Sequence, residues 1–558
     1  MMDAEVVLAN GRIVDGCGNP WFWGDLAIDG GRVAAVGAPG TLQGQQTIDA
    51  AGRFVVPGFV DAHTHSDLSI LVNRQAESVV RQGVTTEVIG NCGMSPAPVD
   101  EAHLAEARRQ WGPISDEVEA TAKPWDWRTF GQYLEVLERG GVAINLVPLV
   151  GHGALRIAVM GLEEREPTPA ELSRMEAHLD EGLRAGAFGL STGLVYPPGC
   201  YARTEEIITL CRVVARHKGL YTSHIRGERE TLLEAVAEAI RIGREAGVPV
   251  QISHNAPKFG APCDASANLG LVDEARARGQ DVTVDNDVHT DLGPALTAGL
   301  PQPLQDRPVA EIVALLRNAD ARREVQEEIV LDRRPAFGPA GLLKHGQWQR
   351  ITILHAPNSP DAVGKTLEVL ARERGQDPFD VYFELIAENG HEAEAIFDYI
   401  DEADIRRLLR HPAVMISSDG QVLALHGFLN EPPPYAPCCY GEFPGVLERY
   451  VRDEPVLTLE EAIRKMTSFP AQRFGLMDRG TLRPGARADI VVLDLERIHD
   501  RATNLYPHRY PFENYPHRYP EGIDYVFVNG VLVVEGEQHT GALPGKVLRH
   551  RYLQVSRE

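Results

Sequence analysis

Six side chains of metal-binding type fall where short apolar runs of the sequence end. His63 and His65 close the run 55–62 in "DAHTHSD", Cys92 follows the run 85–90 in "GNCG", His224 ends 219–224, His254 ends 248–254 and Asp419 ends 413–419. The i, i+2 spacing of the first pair sets both imidazoles on one face of an extended chain. Imidazole and thiolate are preferred zinc ligands, and a carboxylate can bind a metal and also shuttle protons. A lone histidine is usually a packed or solvated residue, and HxH is a weak motif by itself. Five strand ends carrying such groups together are much harder to obtain from packing. The chemistry they would support is hydrolysis, since zinc brings the pKa of water down to about 7.

The elements that must position these groups are short and β-branched. Eight runs read as strands: 55–62, 85–90, 142–150, 188–192, 219–224, 248–254, 281–285 and 413–419. Between them lie stretches such as "TEEIITLCRVVARHKG" and "RETLLEAVAEAIRIGREAG", with apolar spacing near 3.6 and a glycine stop. This alternation predicts an α/β fold, a (β/α)8 TIM barrel, with its active site on the loops after the C-terminal strand ends. Residues 286–412 separate the seventh and eighth runs, enough for a helix plus an inserted lid, expected over 287–347. The chain ends read differently. "EVVLANGRIVDG" and "GDLAIDGGRVAAVG" near the start, and "ADIVVLD" and "YVFVNGVLVVEG" near the end, are strands divided by turns. They predict a small β-sandwich domain assembled from residues 1–57 and 479–558 around a barrel spanning 58–478.

Composition excludes some partners. The 558 residues hold 79 acids against 55 bases, a net charge of −24, and no basic block offsets the repulsion a nucleic acid would meet. No apolar stretch approaches the roughly 20 residues that span a bilayer, so no membrane partner is expected. An acid stands where a signal peptide would carry bases, and a cytoplasmic protein is expected. The seven cysteines include no CxxC pair and suggest no disulfide framework, with Cys438-Cys439 an incidental neighbour pair. The tandem "NLYPHRYP" (504–511) and "NYPHRYP" (514–520) reads as a surface loop without chemistry. His152, in "GHG", is expected to support a loop, and His103, His178 and His217 to be solvated. Nothing in the sequence speaks to oligomeric state.

"PGFVDAHTHSD" strongly resembles the first-strand motif of the amidohydrolase superfamily, and residues 467–494 resemble its return to the β-domain. Within it, "GNCG", "STGLVYPPG", "SHIRGE", "QISHN" and "SSDG" resemble the N-acyl-D-amino-acid deacylases, or D-aminoacylases, over nearly the whole chain. The resemblance implies a metal-dependent hydrolase of C–N bonds other than peptide bonds, acting on a small-molecule amide. It implies one tightly bound zinc ion on Cys92, His224 and His254, and a second, weaker position lined by His63, His65, Cys92 and Asp419. It further implies that Asp419 is the catalytic base and that Tyr196 contacts the scissile carbonyl. Two alternatives stay open: a cyclic imide, formamide or urea-like substrate on the same scaffold, and a non-catalytic interaction protein.

The departures concern the substrate. The family's tyrosines after the seventh strand are replaced here by Asp287 and His289, Asn255 and Ala256 follow His254, and an arginine after the catalytic aspartate is missing. Lys258 lies two positions beyond the family's lysine, and Arg307, Arg333 and Arg334 of the insertion are the other cations available. A buried carboxylate without a matching cation is costly. Neutral or cationic amides are therefore expected to be better substrates than N-acetyl-D-amino acids.

Overall fold

A computed structural model of the chain describes residues 3–121, 125–305, 307–331, 340–430, 437–502 and 518–550. Its centre is a ring of parallel strands: β1 (Phe59–Asp61), β2 (Val84–Ile89), β3 (Asn145–Pro148, continued by Val150–Gly151), β4 (Gly189–Gly193), β5 (Leu220–His224), β6 (Val250–Ile252), β7 (Val282–Asn286) and β8 (Val414–Ile416). Parallel ladders join β1 to β2 and β2 to β3, then run from β3 through β4, β5, β6 and β7 to β8. The ring closes where Thr64 bridges Gly420 and Asp419 N–H donates to His63 O at 3.0 Å. Every residue of these strands is buried, which is why they read as unbroken apolar runs rather than as alternating ones.

All eight expected runs contribute a strand, with one change. The run 55–62 is divided, because Phe54–Pro57 pairs with Ile490–Leu493 outside the ring and β1 begins only at Phe59. Gly58 makes the break. A Cβ there would stand 2.3 Å from Thr85 Oγ1, so a larger residue could not pass β2 so closely.

The helices between strands are locally encoded. Pro169–Ala185 starts with a capping box between Thr168 and Glu171, has proline in its first turn, and stops at Gly186 with φ 119°. Thr204–Arg216 and Leu232–Ala246 each bury one apolar face, including Ile207, Leu210, Val214 and Val236, Ala239, Ile242.

The two chain ends hydrogen-bond into a single nine-stranded sheet. Asp3–Ile13 pairs with Phe22–Asp29, Gln43–Asp49 and Phe54–Pro57, and the last of these carries the sheet into Ile490–Leu493, Ile523–Val528 and Val531–Glu535. Leu8, Ile28, Val55, Ile490 and Phe527 fill one apolar cluster within it.

Between β7 and β8 lies a separately packed unit. Asp291–Leu292, Ile351–His355 and Glu394–Asp398 form an antiparallel sheet, and helices including Val309–Leu316, Leu367–Arg374 and Pro378–Asn389 surround a core containing Ile312, Ile353, Leu367, Tyr382 and Phe397. Four of these five core residues lie beyond 347, so this packing unit runs past the segment 287–347 read from the sequence. The tandem repeat lies largely outside the described residues, which omit 503–517. Among the described residues, no helix is long and apolar enough to cross a membrane.

Candidate metal centre

The strand ends turn their side chains into one mouth through unusual backbone. Cys92, His254 and Asp419 have φ of 52°, 31° and 53°, in the left-handed region that non-glycine residues rarely occupy. Such conformations cost on the order of 1–3 kcal/mol each and persist where the surroundings fix them. The surroundings here are dense. Asp61 accepts from His63 N at 3.2 Å, Ser418 N at 3.0 Å and Ser418 Oγ at 2.5 Å, tying the end of β1 to the end of β8. A Cβ on Gly93 (φ 73°) would lie 2.7 Å from Gly193 N, which keeps the Cys92 turn pressed onto β4.

All six metal-type residues meet there. Cys92 Sγ lies 3.2 Å from His63 Nε2, 3.6 Å from His224 Nδ1 and 3.5 Å from His254 Nε2. Asp419 Oδ1 lies 3.3 Å from His63 Nε2 and 3.1 Å from His65 Nε2. The ligand atoms of His63, Cys92, His254 and Asp419 all fall within 4.8 Å of one another, as do those of His224, Glu228 and His254. Atoms bound about 2.0–2.3 Å from one tetrahedral ion stand roughly 3.3–3.8 Å apart, so the thiolate, imidazole and carboxylate set fits zinc in both chemistry and spacing.

The electrostatics favour the ligating forms of the acids. Burial pushes the Cys92 thiol up, but the His63 charge and hydrogen bonds from His224, His254 and His63 bring it well below its ordinary value. Burial likewise opposes ionisation of Asp419, and His63, His65 and His254 overcome it and hold the carboxyl low. A divalent cation can replace the protons that these imidazoles otherwise share with the acids.

Two carboxylates without an assigned role in the sequence hold the histidines from behind. Glu228 Oε1 lies 3.1 Å from His254 Nδ1 and Oε2 lies 3.8 Å from His224 Nε2, in each case the nitrogen turned away from Cys92. Asp285 Oδ1 lies 3.3 Å from His63 Nδ1 and also accepts from His254 N at 3.0 Å, while Gln251 donates to its Oδ2 at 2.7 Å. Such partners fix ring orientation and raise ligand basicity. Burial alone would raise the Glu228 carboxyl; Lys258, His224 and His254 instead bring it to about 2. The sequence signal was present in both cases: Glu228 stands four residues after His224 in "SHIRGE", and Asp285 ends the seventh run as Asp419 ends the eighth.

Tyr196 donates its hydroxyl to Cys92 O at 2.7 Å and sets its ring edge against His224, centroids 5.2 Å apart. Ser191, in "GLSTG", matches the spacing of a serine-hydrolase elbow. It is buried, accepts from Gly93 N at 3.0 Å and donates to Gly90 O, which makes it a brace for the Cys92 turn.

The opposite wall comes from the loops after β6 and β7 and from the insertion. Lys258 Nζ lies 4.9 Å over the Tyr399 ring. Burial would lower its ammonium pKa, but Tyr399, Glu228, Asp287 and Asp419 raise it, so Lys258 is a charged group of this mouth. Its backbone N–H donates to Glu228 O at 3.0 Å, and Lys258 bridges Ile400. Burial and Asp419 push the Asp287 carboxyl up against the pull of Lys258. His289 Nδ1 lies 2.7 Å from Glu442 Oε2, and Glu442 holds the imidazole pKa at about 10 against the effect of burial. Arg307 is exposed, and Arg333 and Arg334 lie outside the described residues.

Of the remaining histidines, His152 braces Glu206 at 2.8 Å beside Arg156. His217 is buried against Asp180 at 2.7 Å, a correction to the expected solvated residue, because its helix packs this face inward. Cys438 and Cys439 are free and buried.

A ring of parallel strands with histidine, cysteine and aspartate ligands converging at its C-terminal mouth defines a metal-dependent hydrolase of the amidohydrolase type. The amidohydrolase family profile matches residues 46–534, and the chain belongs to that family. It is 35 % identical over 548 residues to a D-aminoacylase of Alcaligenes xylosoxydans xylosoxydans, covering 98 % of this chain and 97 % of that one. A solved D-aminoacylase with a binuclear metal centre, described by one-metal activation and second-metal attenuation, superposes with TM-score 0.75 at 34 % identity over 98 % of this chain and all of its own. An N-acyl-D-glutamate deacylase from Bordetella bronchiseptica, complexed with zinc and a phosphonate mimic of the tetrahedral intermediate, does so with TM-score 0.74 at 32 % identity over 98 % and 100 % of the two chains.

Proposed function

We propose that the chain is a zinc-dependent deacylase that hydrolyses the amide of an N-acyl-D-amino acid. The observation that carries the reading is the approach of three imidazole nitrogens to Cys92 Sγ within 3.6 Å, beside Asp419, in a chain this similar to D-aminoacylases. Cys92, His224 and His254 would hold the tighter ion, and His63 and His65, with Cys92 and Asp419, a weaker second one. Zinc bound there brings water to a pKa of about 7 and polarises a carbonyl.

Asp419, about one-third exposed toward the mouth, takes the proton of the attacking water and returns it to the leaving nitrogen. Tyr196 is placed to turn its hydroxyl from Cys92 O to the oxyanion that develops on the substrate carbonyl. Glu228 and Asp285 keep His254, His224 and His63 oriented throughout. The segment 287–347 and the strands packed beyond it form the lid, with residues 1–57 and 479–558 supporting the barrel of 58–478.

The expected preference for neutral amides rested on a missing cation. Lys258 supplies one in the same wall as Asp287, so the reading retains a carboxylate-bearing substrate. Steady-state kinetics on N-acetyl-D-amino acids, their L isomers and their carboxamides test it. The D acids are expected to lead both other series by about a hundredfold in kcat/KM, and Lys258→Met to raise KM for the acids while leaving the carboxamides unchanged. Equal turnover of D and L acids, or faster turnover of carboxamides, would contradict it.

A further inference from the structure

At the end of the ring opposite the metal ligands, the residues that lead into β4, β5 and β6 open onto a second concavity of about 1220 Å³. Phe188, Gly219 and Pro249 belong to these strand entries, and the other walls come from the return segment 472–479 with Arg487, from residues 548–550 and from Arg32. A neighbouring hollow of about 890 Å³ shares Arg479, Arg487 and Arg549.

The charge of this cleft runs against that of the chain. Its ionised lining is Arg32, Arg216, Lys218, Arg473, Arg479, Arg487 and Arg549 against a lone acid, Asp478, in a protein of net charge −24. Four of the arginines are held by acids: Arg473 by Asp281 at 2.7 Å, Arg549 by Glu138 at 2.9 Å, Arg487 by Asp478 at 3.4 Å, and Arg479 by Asp489. Arg32 donates only to a carbonyl, Gly485 O, at 2.6 Å, and among the described residues neither it nor Arg216 has a carboxylate within ion-pair distance. Arg473 is 4 % exposed, and its Nε and Nη2 meet no acceptor among the described residues, an expensive state for a buried guanidinium.

Between these cations the lining is apolar. Phe188, Phe474 and Leu476 back it from the buried core, and Leu548 and Met477, the latter 70 % exposed, present its open apolar surface. Guanidinium groups match phosphate oxygens in geometry as well as charge, and a concave cationic wall concentrates the field on a bound anion.

We propose that this floor cleft binds a phosphorylated small molecule with an apolar or planar body, of the kind a nucleoside diphosphate represents. The phosphates sit against Arg32 and Arg216, and the body lies on Leu548 and Met477. Because the cleft joins strand entries, the return segment and residues 548–550, such a ligand ties distant parts of the chain together and stabilises the native state by mass action.

The test is calorimetric titration of the full-length, zinc-loaded enzyme with ADP, alongside thermal melts at ionic strength matched with sodium chloride. Expected are saturable one-site binding with Kd below about 1 mM, a Tm that rises with ADP, and weaker binding of pyrophosphate. The Arg32→Gln/Arg216→Gln pair is expected to weaken ADP binding at least about tenfold with amide turnover unchanged, which separates this cleft from the metal centre. If the pair does not fold, Arg216→Gln alone serves, since Arg216 is on the exposed face of its helix. Absence of saturable binding, parental ADP affinity in the variant, or pyrophosphate binding tighter than ADP would each overturn the proposal.

Discussion

On one side of the barrel mouth, His63, Cys92, His254 and Asp419 crowd their ligand atoms within 4.8 Å of one another, on backbone that is left-handed at three of the four. On the other side, His289 is held by Glu442 and Lys258 lies over Tyr399 among carboxylates. In the first wall the imidazoles share protons with Cys92 and Asp419, and a cation can take the place of those protons. The second is already balanced by its own partners. A site built this way can keep its chemistry while its selectivity drifts, because the ligands depend on strand ends and the selective groups on loops and an insertion.

The sharpest way to break this contrast is at Asp419. Asp419→Asn keeps the shape and removes the base, so kcat should fall by about 10²–10⁴ with the tightly held zinc and Tm near parental values. Metal analysis and melting curves measured beside the kinetics check this, and near-parental turnover would remove Asp419 from the proton path.

Glu228→Gln probes how far the ordering of the first wall extends. Loss of the negative charge behind His254 and His224 should weaken zinc binding about 10–100-fold, read by competition with a chelator. Unchanged affinity would make Glu228 a bystander.

The smallest effect is expected behind the second wall, at Asp500. Burial pushes this carboxyl up to about 7, against the pull of His289 and the hydrogen bond from Ala502. An acid whose folded pKa lies above its ordinary value favours folding fully below that ordinary value, and loses the advantage as pH rises through about 7. Asp500→Asn should therefore gain stability relative to the parent between about pH 4 and pH 8, by on the order of 1–3 kcal/mol, in urea unfolding followed across that range. A difference that does not vary with pH would place Asp500 in water.

The convergence of these side chains was legible because fully buried parallel strands leave unbroken apolar runs, and a closed ring brings their last residues together whatever lies between. That logic gathers His63, His65, Cys92, His224, His254 and Asp419 at one mouth. It applies equally to Asp285, which ends the seventh run but whose carboxylate lies against the far nitrogen of His63. Glu228, four residues beyond a strand end and against His254, lies outside it. Lys258 looked misplaced by two positions. Its backbone contacts with Glu228 and Ile400 shape the loop that carries it, and sequence spacing cannot show such contacts. The same holds for the insertion, whose core joins Ile312 to Phe397 and so runs past the segment 287–347. Gly58 hid a strand break inside one apolar run, since the clash it avoids is with Thr85 on a neighbouring strand.

The proposed hydrolysis depends on a zinc ion held by Cys92 with the histidines around it. Its most direct test is zinc stoichiometry by elemental analysis of the purified protein, measured for the parent and for Cys92→Ala after identical zinc loading and dialysis. About one tightly held zinc is expected per parent chain, with loss of that ion in a Cys92→Ala protein that still folds. Equal zinc retention by the two proteins would contradict it.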